Sequence, residues 1–254
     1  MESFRDLFYK HDGRLINKWD HYFEIYDRHF SKYRGQNINM LEIGISHGGS
    51  LQLWKKYFGE GVNIYAIDVN PECKKFEDDQ VKVFIGSQSD PDFLRTVIKD
   101  IPELDIIIDD GGHTMKQQIV SFEVLFKHLL PDGIYLCEDT HTSYWYEYGG
   151  GLHKKGTFIE YSKLLVDYIN AWHVKYSRTV QPNDITRTVN SIHFYDSIVV
   201  IDKTAERKPP FSLMKGNETI QHFDEPEYRK KTFFVEVVDF FKRMIYKISG
   251  KKAS

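Results

Sequence analysis

The sequence predicts an α/β fold built on one mostly parallel sheet, with an antiparallel edge and helices on both faces. Three observations carry the prediction. Short apolar runs alternate with helix-like segments from about residue 39 to 140, the pattern of β-α-β units. A glycine-bearing turn follows the first run. Acidic residues close the second, fourth and fifth runs, so polar groups collect at one end of the sheet.

Taken in order, the strands fall at Asn39–Gly44, Asn63–Asp68, Val81–Ile85, Asp105–Asp109 and Gly133–Glu138. Helices are expected at Ser50–Phe58, Asp90–Ile98 and Met115–Leu130, the last from the spacing of Ile119, Phe122, Leu125, Phe126 and Leu129. The crossovers are expected to be right-handed. Residues 1–38 form an N-terminal helical cap, in which the aromatic and charged stretch Leu15–Tyr33 reads as one helix or two over the active-site mouth. The core spans 39–202. It includes a Tyr/Trp/Gly-rich lid loop at about 140–157, a helix at Phe158–Trp172, and an antiparallel strand pair, Ser191–Tyr195 and Ser197–Asp202, turning at Asp196. Residues 203–254 supply a linker, Lys203–Glu227, and a C-terminal amphipathic helix. One face of that helix carries Phe233, Phe234, Val237, Val238, Phe241, Ile245 and Ile248, with Lys242, Arg243, Lys247, Lys251 and Lys252 at its end. Such a face packs on its own domain or a second subunit, or lies on a membrane surface.

Bulk properties narrow the function. The chain has 254 residues, 41% of them hydrophobic, enough for one substantial core. A formal charge of −3 and a pI near 6.4 give no general basic field, which argues against nucleic acid as a partner. Cys73 and Cys137 form no C-x-x-C, so a reducing cytoplasm is expected. The N-terminal MESFRDLFYK has scattered charges and lacks the apolar core of a signal peptide, and no run of about 18 apolar residues occurs, so no integral membrane segment is predicted. A homo-oligomer is compatible with these properties.

In an open parallel sheet, ligands bind beyond the carboxyl ends of the strands. Here the first turn reads LEIGISHGGS from Leu41 to Ser50, with Glu42-x-Gly44-x-x-x-Gly48 at its centre. Gly44 and Gly48 let the backbone approach a ligand closely. Their spacing departs from the G-x-G-x-x-G of dinucleotide binders, which favours S-adenosylmethionine (SAM) over NAD. Asp68, closing the second strand, is placed to accept hydrogen bonds from ribose hydroxyls. Ser87 and Gln88, in the turn after the third strand, are placed to hold an adenine edge. Glu42, Ser50 and Asp109 complete the expected cofactor set.

The fourth strand runs into Asp109-Asp110-Gly111-Gly112-His113 and the fifth into Glu138-Asp139. Adjacent strand ends bring Asp110, Glu138 and Asp139 around one point. That all-oxygen set suits Mg²⁺, with Mn²⁺ or iron as alternatives. His113 lies within reach of a metal-bound group, and an imidazole titrating near 6.5 suits a general base. His141, His153 and His193 are less well placed.

The segments LEIGISHGGSLQLW, IIDDGGH, EDTHTSYW, YGGG, TFIEYSKLL and HFYDSIVVIDK together resemble the metal-dependent sugar O-methyltransferases of macrolide tailoring, of the tylosin and mycinamicin pathway type, and their polysaccharide-associated relatives. The resemblance covers roughly residues 16 to 202 and implies a Rossmann-like class I methyltransferase fold. It also implies that Asp110, Glu138 and Asp139 ligate a divalent ion that chelates sugar hydroxyls, and that His113 removes the proton. The acceptor is then a sugar-bearing small molecule, a nucleotide sugar or a surface polysaccharide. KWDHYFEIY is similar to the family's opening helix, suggesting substrate roles for His21 and Tyr22. Tyr144, Trp145 and Tyr146 could stack on sugar faces.

Two other readings stand beside this one. A redox-active iron would make the protein a hydroxylase or oxygenase, which needs more histidine ligation than this sequence offers, since two histidines and one carboxylate are the usual ligand set. A non-catalytic SAM- or glycan-binding module would use the acids only to hold a structural ion.

Overall fold

The structure, a computed structural model, describes residues 2–175 and 178–220, together with Val237, Phe240, Phe241 and Met244. The chain divides into two units, residues 1–209 and 210–254.

In the first unit seven strands form one sheet: β1 (Ile38–Ile43), β2 (Val62–Asp68), β3 (Val81–Ile85), β4 (Leu104–Asp109), β5 (Leu129–Cys137), β6 (Val189–Phe194) and β7 (Val199–Lys203). Their order is β3-β2-β1-β4-β5-β7-β6. The first five are parallel, and β7 and β6 close one side antiparallel. The helices are α1 (Phe4–Tyr9), α2 (Tyr22–Phe30), α3 (Gly49–Phe58), α4 (Pro91–Val97), α5 (Met115–Leu125), α6 (Phe158–Ile169) and α7 (Asp184–Thr188).

Successive strand residues face opposite sides, and both sides of this sheet are covered. Met40, Ile64, Ile106 and Ile134 pack with Phe4, Tyr26 and Trp54 from α1 to α3. Leu41, Ile67, Ile107 and Tyr135 pack with Leu94, Phe122 and Phe158 from α4 to α6. Strand order reverses between β1 and β4, so the crevice for a ligand opens beyond their carboxyl ends.

The expected fold holds, with local differences. The helix expected at Leu15–Tyr33 is α-helical only over Tyr22–Phe30, followed by a 3-10 turn at Ser31–Tyr33. Residues before it run as a strap: a Cβ on Gly49 would stand 2.4 Å from the carbonyl oxygens of Arg14 and Leu15. The strap is drawn across the sheet end because Lys18 has its partners there. The sequence reading did not anticipate α1, which starts on a capping box between Ser3 and Asp6. Helix α5 stops at Leu125 and β5 begins at Leu129 rather than Gly133, since Pro131 biases Leu130 towards an extended conformation. Helix α6 ends at Ile169, with a 3-10 turn at Ala171–His173 in place of its last turn.

The loop at 140–157 contains 3-10 turns at Thr140–Tyr144 and Tyr146–Tyr148. It is tied internally: Gly150 N–H donates to Trp145 O and Gly151 N–H to Ser143 O, each at 2.8 Å. In the second unit, Val237, Phe240, Phe241 and Met244 are helical. The rest of the expected C-terminal helix, including Phe233, Phe234, Val238, Ile245, Ile248 and its basic residues, lies outside the described residues. Among the described residues, no helix is long and apolar enough to cross a membrane.

Candidate active site

The loop after β1 is shaped by positive φ angles at Gly44, Ser46 and Gly48. Gly44 sits so close to the loop after β4 that a Cβ would stand 2.2 Å from Asp110 O. Asp68, at the end of β2, holds the loop's backbone: its Oδ2 accepts the N–H groups of Ile45 and Ser46 at 3.0 and 3.1 Å. A cavity of about 790 Å³ opens here, lined by Gly44, Ser46, His47, Asp68, Asn70, Phe76, Gly86, Gln88, Asp110, Gly111 and His113 among others. It offers an elongated ligand both apolar walls and polar edges.

Of the cofactor residues expected from sequence, Gly44, Asp68 and Gln88 line this cavity, while Gly48 shapes its loop. Glu42, Ser50, Ser87 and Asp109 do not line it. Glu42 is buried and accepts from Ser50 Oγ at 3.0 Å and Trp54 Nε1 at 3.2 Å; burial pushes its carboxyl up to about 7. Asp109 lies between Gln88 Nε2 at 2.8 Å and Tyr135 OH at 2.9 Å, and burial raises it to about 6. Ser87 Oγ is paired with Ser89 Oγ at 2.9 Å. Gln88 also accepts from Gly112 N–H at 2.8 Å, pinning the Gly111-Gly112 turn. These residues are the scaffold on which the cavity is hung.

At the ends of β4 and β5 the acids converge around a residue the sequence reading missed. Lys18, from the strap, donates to Asp110 Oδ2 at 2.5 Å and Glu138 Oε2 at 2.7 Å. Only 3% of its side chain is exposed. Burial alone would lower its pKa, but Asp110, Glu138 and Glu42 outweigh it and hold the ammonium above its ordinary value. Burial raises Asp110 and Glu138 above the usual carboxylate range against the pull of the same lysine. Tyr26 OH donates to Glu138 Oε1 at 2.7 Å and Tyr22 OH to Asp139 Oδ1 at 2.6 Å.

His113 Nε2 lies 3.5 Å from Asp139 Oδ2 and 3.9 Å from Asp110 Oδ1. Its Nδ1 is buried without a hydrogen-bond partner, and burial lowers its pKa, so the ring is neutral at neutral pH. Both His113 and Asp139 have positive φ, at 58° and 52°, a strain that folds keep at functional sites. Thr142 Oγ1 lies 2.9 Å from the carbonyl oxygens of both residues, joining the two strained turns.

Asp110, His113 and Asp139 can each offer one ligand atom, all within 4.8 Å of one another. The carboxylates of Asp110 and Asp139, with His113 Nε2 facing both, fit a divalent cation. Glu138 stands outside this trio, turned to Lys18 and Tyr26. A second set, His29, His193 and Asp202, has the two-histidine, one-carboxylate composition of iron oxygenases. It lies on α2, β6 and β7, and none of its members lines the cavity.

Beside the acids stands an aromatic wall. Trp19 stacks on His141, with centroids 5.1 Å apart, and His141 meets Trp145 edge-on at 4.6 Å. Tyr144, Trp145 and Tyr146 are 48%, 45% and 83% exposed. His21 bonds to Asp196 O at 3.1 Å. Trp19 and Tyr26 were missed along with Lys18, and His141, set aside as a base, stands in the aromatic wall instead. The available signal was the i, i+4 placement of Tyr22 and Tyr26 on one helix face.

The chain is 35% identical over 196 residues to the 8-demethyl-8-alpha-L-rhamnosyl tetracenomycin-C 2'-O-methyltransferase of Streptomyces olivaceus, covering 72% of this chain and 50% of that protein. It is 32% identical to the Mycinamicin VI 2''-O-methyltransferase of Micromonospora griseorubida, over 70% of this chain and 47% of that one. The Demethylmacrocin O-methyltransferase of Streptomyces fradiae is 34% identical over 74% and 51%. The chain is a homologue of the natural-product sugar O-methyltransferases. Its fold is that of the class I methyltransferases. The MycE methyltransferase of the mycinamycin biosynthetic pathway, solved with Mg and SAH, superposes with a TM-score of 0.73 at 28% identity, over 80% of this chain and 55% of that one. The same enzyme with Mg, SAH and mycinamycin VI gives 0.74 at 26% identity, over 94% and 59%. The chain spans about half the length of the curated relatives it matches. No protein-family profile matches it.

Proposed function

We propose that this protein is a SAM- and divalent-metal-dependent O-methyltransferase acting on a hydroxyl of a sugar-bearing small molecule, with His113 as general base. The observation that carries the reading is the placement of a neutral, partly unpartnered His113 between Asp110 and Asp139 at the edge of the cavity. The relatives' names support the acceptor class, since two of them name O-methylation of a rhamnosyl- or olivosyl-bearing compound. Two buried, unpaired cysteines fit a reducing, cytoplasmic setting.

SAM, when bound in the cavity along Gly44 and Asp68, supplies a methyl group on a sulfonium for in-line displacement. Mg²⁺, held by Asp110 and Asp139 and joined by Glu138 where the ion displaces Lys18, would lower the pKa of a sugar hydroxyl. His113 accepts the hydroxyl proton at Nε2, the nitrogen that faces Asp110 and Asp139. Tyr22 orients Asp139, and Thr142 fixes the backbone that aims both residues. The wall of Trp19, His141 and Trp145 gives a sugar an apolar face to lie on.

A panel of glycosylated small molecules, nucleotide sugars and glycans, incubated with labelled SAM, tests this reading. The expected result is gain of one methyl group on a member of the first class, abolished by chelation and restored by Mg²⁺. Transfer that survives chelation overturns the metal role. Activity restored only by iron under oxygen, without methyl transfer, overturns the reaction.

A further inference from the structure

We propose that His29, His193 and Asp202 form a zinc site that clips α2 to the antiparallel side of the sheet. Strand geometry brings the three together. Residues two apart on a strand share a face, so Ser191 and His193 project from one side of β6, and Asp202, paired with Ser191, projects from the same side of β7. That side meets α2, where His29 is buried with its Nε2 2.9 Å from Tyr195 OH. His193 Nε2 lies 2.8 Å from Asp202 Oδ2, and the His29 and His193 rings meet edge-on with centroids 4.9 Å apart.

Each of the three can offer one ligand atom, all within 4.8 Å of one another. Two imidazoles and a single carboxylate suit zinc, whereas Mg²⁺ asks for oxygen ligands. Between zinc and iron, whose usual set has the same composition, the general order of divalent affinities favours zinc. The surrounding charge points away from a hard ion too. Arg28 and Lys32 act on His29 from the same end of the chain's second helix, so an ion here is held by directed bonds to nitrogen rather than by excess negative charge. A tetrahedral zinc with bonds of about 2.0–2.1 Å sets its ligand atoms about 3.3 Å apart. His193, whose side chain is 39% exposed, has room to turn and close the set, and solvent reaches the fourth position past it. Ser191 Oγ donates to Asp202 Oδ2, which orients the carboxylate from outside the ligand set.

Helix α2 also carries Tyr22 and Tyr26, which bond Asp139 and Glu138. A clip at His29 therefore fixes the far end of the helix that presents both tyrosines to the acids. None of the three ligands lines the cavity, and the site stands apart from the reaction proposed above.

The test titrates the full chain, stripped of metal with a chelator, with Zn²⁺ in excess Mg²⁺ by calorimetry. One zinc per chain is expected to bind without being displaced by Mg²⁺, and to raise the thermal midpoint. His193→Gln and Asp202→Asn are each expected to weaken it by more than about 100-fold, the upper range for losing only an outer partner, and Ser191→Ala by about 10–100-fold. Asp110→Asn combined with His113→Ala is expected to leave it unchanged. Zinc K-edge absorption of the wild type reads the ligands without any variant: two imidazoles are expected, and a single one would put the ion at His113. That result overturns the proposal. So do absence of zinc binding, displacement by Mg²⁺, and zinc binding that survives His193→Gln and Asp202→Asn.

Discussion

Beneath the loop from Gly44 to Gly48, the polar side chains are paired off inside the protein, whereas those at the ends of β4 and β5 are crowded and only partly paired. Glu42, Gln88 and Asp109 each end in hydrogen bonds to neighbouring protein groups. Across the cavity, Asp110, Glu138, Asp139 and His113 share one lysine and two tyrosines, and a ring nitrogen is left over. The first arrangement holds a shape; the second holds charge in readiness. Substitutions on the two sides should therefore fail differently.

The sharpest way to break the comparison is His113→Ala. A general base contributes roughly 10²–10⁴ in rate, so kcat is expected to fall by that range. SAM affinity by titration calorimetry should change by less than about threefold, since the Gly44 side supplies the cofactor contacts. Unchanged methyl transfer would remove His113 as the base.

Lys18→Met comes next, and it reads the charge side directly. Leaving Asp110 and Glu138 buried without their cation is expected to cost about 3–5 kcal/mol, measured by urea unfolding without metal. Mg²⁺ should restore more stability to the variant than to the wild type. Equal responses to Mg²⁺ in the two proteins would mean that the lysine and the ion do not share these acids.

This lysine also shows where sequence reading stopped. The strands, the Gly44 turn and the Asp68 and Asp110 positions follow from apolar periodicity and from what the end of a parallel strand must present. Asp109 and Asp110 look alike in sequence, yet one anchors Gln88 and Tyr135 and the other faces Lys18, because neighbouring residues leave a strand in opposite directions. Glu42 was assigned to the cofactor for its place in the motif; its side chain points beneath the loop instead, into the packing around Trp54. Lys18 reaches Asp110 from 92 residues away. Its segment looked helical because aromatic and charged residues alternate there without a period that separates strap from helix.

Glu42→Gln probes the paired side through pH. Burial raises the Glu42 carboxyl from an ordinary 4.5 to about 7, so the folded protein retains a proton that the unfolded chain releases. Its contribution is full below about 4.5 and is lost as pH rises towards 7. The amide oxygen can accept from Trp54 Nε1 while its NH2 donates to Ser50 Oγ, and the group cannot ionise. The variant should match the wild type near pH 4.5 and exceed it by about 1–3 kcal/mol at pH 8, read from urea midpoints. A parallel loss at both pH values would show that Glu42 is ionised throughout and needed as such.

The smallest effect is expected at the aromatic wall, where neither pairing nor charge is at stake. Trp145 is 45% exposed and touches His141 edge-on, so trimming it leaves no buried polar group unpaired. Trp145→Ala is expected to raise the acceptor KM about three- to tenfold, the equivalent of about 0.5–1.5 kcal/mol of aromatic contact. Its kcat and SAM affinity should stay within twofold or so, because a contact made equally in ground and transition states changes binding alone. A fall in kcat with KM unchanged would place Trp145 with His113 on the reacting side, and would move the boundary between holding and reacting outward from the acids to the loop itself.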